Sequence, residues 1–368
     1  MKLSFLLFAL PFLILIALAS LLVFKSWVAY GLIKSPLLQK IIALAFTFLP
    51  IILVATMILG AQKQSLVNTI FYNISVLWLP LLLYLALGSL LIALYAFVAN
   101  YFSLPFNGFA LALSVLTISL LAIGYGIWNA ATPRVVSYTI SSESLNSEWS
   151  GKRIVLVSDT HLGIVRSEKF MKKVTSLINK QSPDLVLIAG DLIDGPVFSY
   201  ERGLAPLASI NAKDGIVYTP GNHEQYNTEP SLFYPTAKKV TTLLEDQKII
   251  IRKTAIIGLR YTTGTHESIK AQLYAAGYSK EEPTIVLLHD PKHTKALMEE
   301  GVALSVSGHT HCGQFFPLTL IVRSIYKEYT YGLIKHDSGV SITTCGVGTA
   351  MSPIRIGTYP EIAVLTIR

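Results

Sequence analysis

The first acidic residue in this chain of 368 residues is Glu143. Up to Pro133 the only charged side chains are Lys2, Lys25, Lys34, Lys40 and Lys63. A water-soluble domain is not built with so few charges, since globular chains carry about a quarter charged residues. Apolar runs at 3–24 and 41–62, each bracketed by lysines, are long enough to cross a hydrocarbon core of about 30 Å at about 1.5 Å per residue. From Lys63 to Arg134 no charge intervenes, and that stretch is too long for one crossing. Asn100, Ser103, Pro105, Asn107 and Gly108 divide it into spans near 74–97 and 109–128. Trp27, Tyr30, Trp78, Tyr101 and Trp128 fall near the ends of these spans, as interfacial aromatics do. Residues 1–133 therefore predict about four transmembrane helices. A cleaved signal peptide is disfavoured, because the first run exceeds a signal core and further spans follow. No charge lies inside a span, so this half reads as an anchor or lipid-facing platform rather than a transporter.

These spans predict a multi-pass protein of the cell (inner) membrane. With four crossings, Lys2, Lys63 and Arg134 share one side, and Lys25, Lys34 and Lys40 the other. Lys152 and Arg153 tip the balance toward a cytoplasmic C-terminal domain. Beyond Pro133 stand all 22 acids and 25 of the 30 basic residues, a net of only +3. The overall +8 is thus largely a membrane-flank effect, and no clustered Arg/aromatic pattern argues for a nucleic-acid surface. Nor does any feature point to a protein partner.

After a polar, Ser-rich connection at 134–150, the remainder (151–368) alternates short apolar runs with amphipathic stretches. Runs at 154–157, 185–189, 216–219, 285–288 and 304–306 read as buried strands. Stretches beginning at Ser167 and at 231–247, 267–276 and 291–300 read as helices. Runs at 249–251, 255–259, 340–344 and 362–367 add strands, so an α/β domain with a mixed or double sheet is expected.

The residues just past each of the first five strands are decisive. The first strand runs into Ser158-Asp159-Thr160-His161, the second into Gly190-Asp191-Leu192-Ile193-Asp194, and the third into Pro220-Gly221-Asn222-His223-Glu224. The fourth runs into His289-Asp290 and the fifth into Ser307-Gly308-His309-Thr310-His311. In open α/β folds the binding crevice lies outside the carboxyl ends of the strands. Five of the eight histidines fall in these blocks. Gly190, Gly221 and Gly308 precede the ligand-type residues, which suits close approach of backbone to a site.

In order, these blocks read Asp-x-His, Gly-Asp-x-x-Asp, Gly-Asn-His-Glu, a lone His and Gly-His-x-His. This ordered set resembles the calcineurin-like metallophosphoesterase superfamily over about residues 150–368. Gly346-Val347-Gly348-Thr349, Pro353-Ile354-Arg355 and Pro360-Glu361-Ile362 look like its bacterial membrane-anchored or exported branch. That branch includes UDP-2,3-diacylglucosamine hydrolases. One departure is Cys312, where the branch usually has the first glycine after the last histidine.

The resemblance implies an α/β sandwich carrying a dinuclear metal centre. Asp159, His161 and His311 would hold one metal, Asn222, His289 and His309 the other, and Asp191 would bridge. A carboxylate suits the bridge, because its two oxygens can serve two cations about 3.5–4 Å apart. Water between the metals would be the nucleophile toward phosphorus, and His223 the general acid for the leaving oxygen. Four histidines among oxygen ligands favour two divalent ions of Mn, Fe, Zn or Co over Mg or Ca. The implied activity is hydrolysis of a phosphoester, phosphodiester or pyrophosphate, and a substrate linked to membrane lipid, such as UDP-diacylglucosamine, is within its range. The alternative is a catalytically silent metal-binding scaffold or sensor in the membrane.

Other residues carry weaker expectations. Asp194 and Glu224 read as supports for ligands. His266, His293 and His336 read as surface residues, and Arg323 and Arg355 as surface charges or phosphate holders. Cys312 and Cys345 read as free thiols in a reducing compartment. The apolar segment 315–322 reads as a strand or core edge, or as a membrane-facing lip beside the metals.

Overall fold

The structure is a computed structural model that describes residues 3–60, 66–141, 143, 145–194, 199–227 and 229–368. Lys2, Lys63, residues 61–62 of the second expected span, and Ser142 and Ser144 of the expected connection lie outside the described residues. The chain forms two compact units, Met1–Ile127 and Trp128–Arg368.

The first unit is helical. Its helices are α1 (Leu3–Ala29), α2 (Pro36–Gly60), α3 (Leu66–Phe102) and α4 (Gly108–Ala130), whose last turn belongs to the second unit. All four are long and apolar enough to cross a membrane. At 37 residues α3 outruns the expected 74–97 span. It extends about 55 Å, well beyond a core of about 30 Å. Ile16, Val23 and Trp27 of α1 pack with Trp78, Leu82 and Leu85 of α3. Phe46 of α2 stands between the rings of Trp27 and Trp78, at 6.1 and 6.4 Å. Helices α3 and α4 approach closely at Gly88, where a Cβ would strike Val115. A small residue permits such contact where lipid and helix are equally apolar.

The second unit is built on two six-stranded mixed sheets. The first has the order β1 (Arg134–Ile140), β14 (Glu361–Ile367), β2 (Arg153–Val157), β4 (Leu185–Ala189), β6 (Ile216–Thr219) and β7 (Thr242–Leu243). Only the β14/β2 pair is antiparallel. The second has the order β12 (Gly332–Lys335), β13 (Val340–Thr343), β11 (Leu304–Ser307), β10 (Thr284–Leu288), β9 (Thr254–Leu259) and β8 (Gln247–Ile251). Its two edge pairs are antiparallel and the centre is parallel. The short strands β3 (Leu162–Gly163) and β5 (Ile193–Asp194) pair beside the first sheet's strand ends.

The side-chain period of two explains the layering. Ile154 and Leu156 of β2 and Leu185 and Leu187 of β4 enter one core, together with Ile285, Leu287, Leu304 and Val306 of the second sheet. The alternate residues, Val155, Val157, Val186 and Ile188, enter another core. There they meet α5 (Glu168–Asn179), α6 (Tyr200–Leu204) and α8 (Pro230–Lys238). On the far side Val286 and Leu288 meet α9 (His266–Ala275) and α10 (Thr294–Glu299). The strands buried on both faces are the ones that read as continuous apolar runs. The result is a helix–sheet–sheet–helix sandwich with its parallel strand ends at one rim.

Three expectations change. The segment 134–150 is not all connection, since 134–140 is β1, an edge strand paired in parallel with β14 over seven residues. The helix expected over 231–247 stops at Lys238, and the chain turns to form β7 and β8. The segment 315–322 enters α11 (Leu318–Tyr326), a helix with no buried residue, instead of a strand.

Candidate metal centre

All five ligand-bearing blocks lie at the carboxyl ends of β2, β4, β6, β10 and β11, and their side chains converge. Asp159, His161 and His311 form one group whose ligand atoms lie within 4.8 Å of one another, and Asp191, His289 and His309 form a second. In the first, Nε2 of His161 and Nε2 of His311 face each other at 2.9 Å, and Asp159 Oδ1 stands 3.8 and 3.4 Å from them. In the second, His289 Nε2 lies 3.0 Å from Asp191 Oδ2 and 3.2 Å from His309 Nδ1. Asp191 Oδ2 is also 3.7 Å from His161 Nε2, so this carboxylate reaches both groups.

The backbone is bent to make this possible. Asp159, His161, Asp191, His309 and His311 all have positive φ. Residues held in that sparsely populated region cluster at functional sites. Gly190 has φ +83°, and a Cβ there would strike the His289 ring. That position therefore requires glycine twice over.

Supporting groups fix the orientation of each ligand. His289 Nδ1 donates to the Ala189 carbonyl at 2.7 Å, which fixes the ring and turns Nε2 toward the interior. Glu224 is fully buried and accepts from the backbone N–H groups of Asp191, Ile193 and Gly221 at 3.0, 2.9 and 2.7 Å. It holds two ligand loops in register. Asp194 Oδ1 lies 2.9 Å from His223 Nδ1, so Asp194 orients the histidine. His223 N–H donates to Asp191 Oδ1 at 2.9 Å.

Electrostatics run the same way. Burial raises the Asp159 and Asp191 carboxyls, but neighbouring histidines more than compensate, and both are held far below the usual carboxylate range. Burial lowers His289, yet Asp191 brings it up to about 10. Burial likewise lowers His223, and Asp194 and Asp191 bring it up to about 9. The carboxylates thus draw positive charge into an enclosed space. Asn222 Oδ1 is buried with no hydrogen-bond partner among the described residues. A buried acceptor left without a donor is costly unless a cation or water binds it. Imidazole nitrogens with carboxylate and amide oxygens fit divalent transition-metal ions.

Sequence reasoning did not foresee several features. Arg355, expected as a surface charge or phosphate holder, is fully buried. It donates to the carbonyls of Cys345, Gly346, Gly348, His311 and Tyr359 at 2.6 to 3.3 Å. Burial brings its guanidinium down to about 9, still charged at neutral pH. His293, expected at the surface, is buried beside the exposed His266, and His336 is half-buried. The two cysteines are not free thiols: Cys312 and Cys345 form a disulfide. Cys312 has φ +53°, a left-handed backbone that a glycine would take freely. The bond ties the residue after His311 to the residue before Gly346, which packs on Asp159.

Comparison with known proteins agrees with this geometry. Residues 152–313 match the family described as calcineurin-like phosphoesterase. An uncharacterized metallophosphoesterase of Helicobacter pylori (strain J99) is 30% identical over 302 residues, covering 73% of this chain and 79% of the relative. A transmembrane protein with metallophosphoesterase domain from Danio rerio is 28% identical over 273 residues, covering 70% of this chain and 62% of the relative. With strand-end ligand blocks, four membrane-length helices and these relatives, the chain belongs to the calcineurin-like metallophosphoesterases, hydrolases of phosphoester bonds.

Proposed function

We propose that this membrane-bound hydrolase works through a two-metal centre. Asp159, His161 and His311 would hold one divalent cation, Asn222, His289 and His309 the other, Asp191 would serve both, and His223 would act as the general acid. The observation that carries this reading is the position of Asp191 within 3.7 Å of His161 and 3.0 Å of His289. Two such cations supply Lewis acidity that lowers the pKa of water and polarises phosphoryl oxygens. Asp194 keeps the proton on His223 Nδ1, which turns Nε2 toward the leaving oxygen. Glu224 and the Ala189 carbonyl hold the ligands so that little reorganisation accompanies the reaction. The centre suits phosphomonoesters, phosphodiesters and pyrophosphates alike.

The first test is manganese-dependent hydrolysis of bis-p-nitrophenyl phosphate by the full-length protein. His223→Ala is expected to lower kcat by about 10²–10⁴-fold on phenyl esters, and less on p-nitrophenyl esters, whose leaving group needs less protonation. An equal loss on both would remove His223 from the acid role.

The disulfide supports placing the catalytic domain on the oxidising, extracytoplasmic side of the cell membrane, against the slight charge bias of Lys152 and Arg153. In sealed vesicles of known orientation, maleimide-polyethylene glycol is expected to label Cys312 and Cys345 only after reduction and unfolding. Labelling of the unfolded chain without a reductant would place the domain in a reducing compartment.

A further inference from the structure

Helix α11 stands beside the metal centre and turns apolar side chains outward. Leu320, Ile321 and Ile325 are 59, 55 and 64% exposed, and Phe316, just before the helix, is 49% exposed. Thr319, Val322 and Tyr326, at spacing i, i+3, i+7, are only half-buried and form its inner face. Leu318, Ile321 and Ile325 repeat the same spacing on the outer face, with Arg323 and Lys327 exposed nearby. Few surfaces of a soluble domain present so many large apolar groups on one short helix, and such patches mark contact sites.

Two connections say what covers this face. The first is the attachment to the membrane. Asn129, in the last turn of α4 and part of the second unit, donates to the carbonyls of Arg355 and Thr358 at 2.9 and 2.8 Å. Ile356 N–H and the Thr358 hydroxyl donate to the Gln314 carbonyl, and Phe316 N–H donates to the Ile356 carbonyl. Arg134, the first residue of β1, lies over the Tyr359 ring at 3.4 Å. The root of α11 is therefore bonded to the segment that receives the chain as it leaves its last membrane-length helix. The second connection is to the site: the Tyr326 ring, at the end of α11, lies 6.1 Å from the His309 ring.

We propose that α11 lies in the lipid–water interface of the membrane that anchors the chain, and that the substrate is a phosphoester of a membrane-resident amphiphile. This rests on the phosphoesterase reading above. Leu320, Ile321 and Ile325 enter the acyl boundary, while Arg323 and Lys327 meet anionic headgroups. A phosphate at headgroup depth then reaches the ligands past Tyr326 without leaving the bilayer surface.

The test uses full-length protein in nanodiscs of phosphatidylcholine with a minority of phosphatidylglycerol. Ile321→Trp is expected to add emission that acyl-brominated phosphatidylcholine quenches. Ile250→Trp, equally exposed on the opposite edge strand β8, is expected to add emission that it does not quench. Absence of quenching at position 321 overturns the interfacial placement, and a blue-shifted, unquenched signal in a dimer would assign the face to a second copy. The substrate class is read from p-nitrophenyl methyl phosphate and p-nitrophenyl hexadecyl phosphate, which share one reacting centre. The long-chain ester is expected to be favoured by about 10-fold or more in kcat/KM. Ile321→Glu is expected to abolish that preference while leaving the methyl ester unchanged. Equal use of both esters by the unaltered protein overturns the substrate class. Loss of turnover on both counts against the phosphoesterase reading instead, and the quenching result stands apart from it.

Discussion

Asp191→Ala is expected to lower turnover of bis-p-nitrophenyl phosphate by about 10³-fold or more, and to lower the metal bound per chain below that of the unaltered protein. Asp191 Oδ2 stands 3.7 Å from Nε2 of His161 and 3.0 Å from Nε2 of His289, one histidine from each ligand group. In the proposed two-metal centre its loss would remove the charge that lets two cations sit close together. It also removes the acceptor for the His223 backbone N–H, so the proposed general acid would shift with it. Asp191→Asn keeps the size and one oxygen while discarding the charge, and is expected to fall nearly as far. Elemental analysis beside the rate assay decides the matter: undiminished metal with turnover within about 10-fold of the unaltered protein would remove Asp191 from the bridging role.

Arg355→Met is expected to destabilise the second unit strongly. The guanidinium donates to five backbone carbonyls around the site, and the buried carbonyls of Cys345 and Gly348 depend on it for their donor, whereas those of His311 and Gly346 also accept from the backbone N–H groups of Gln314 and Glu361. At about 1–3 kcal/mol for an orphaned polar group, only part of which relaxes, the loss amounts to several kcal/mol. For a unit of this size that corresponds to a fall in Tm of about 10 °C. Arg355→Lys is expected to fare little better, because an ammonium cannot reproduce the planar fork. Thermal unfolding in detergent measures this directly. An unchanged Tm with a loss confined to activity would return Arg355 to the phosphate-holding role its sequence position first suggested.

The parallel strands were legible because both faces of each are buried, which leaves runs such as 154–157 and 185–189 with hardly a polar residue. Their ends were legible because Asp, Asn and His were concentrated there. The edge strand β1 was not, since Arg134-Val135-Val136-Ser137 is mostly exposed and looks like a connection. In α11, Leu318-Thr319-Leu320-Ile321-Val322 has the composition of a strand. The helix lies on the surface beside the metal centre, and composition did not reveal that setting. The role of Arg355 depends on five carbonyls brought together by loops, and one chain position carries no trace of them. The disulfide likewise joins residues 33 apart whose proximity is created by the ends of β11 and β13.

The hydrogen bonds of Asn129 bear on how a soluble fragment can be cut. A boundary at Pro133 would look natural, being where the apolar sequence ends. It would discard Asn129, which binds the carbonyls of Arg355 and Thr358, and Ala130 and Ala131, whose carbonyls accept from Arg166 and Lys173 at 3.1 and 2.6 Å. The severed fragment would lose partners for groups grafted onto the loop that shapes the metal centre. A fragment beginning at Trp128 keeps them, so the last turn of the membrane helix is, in folding terms, the first turn of the enzyme.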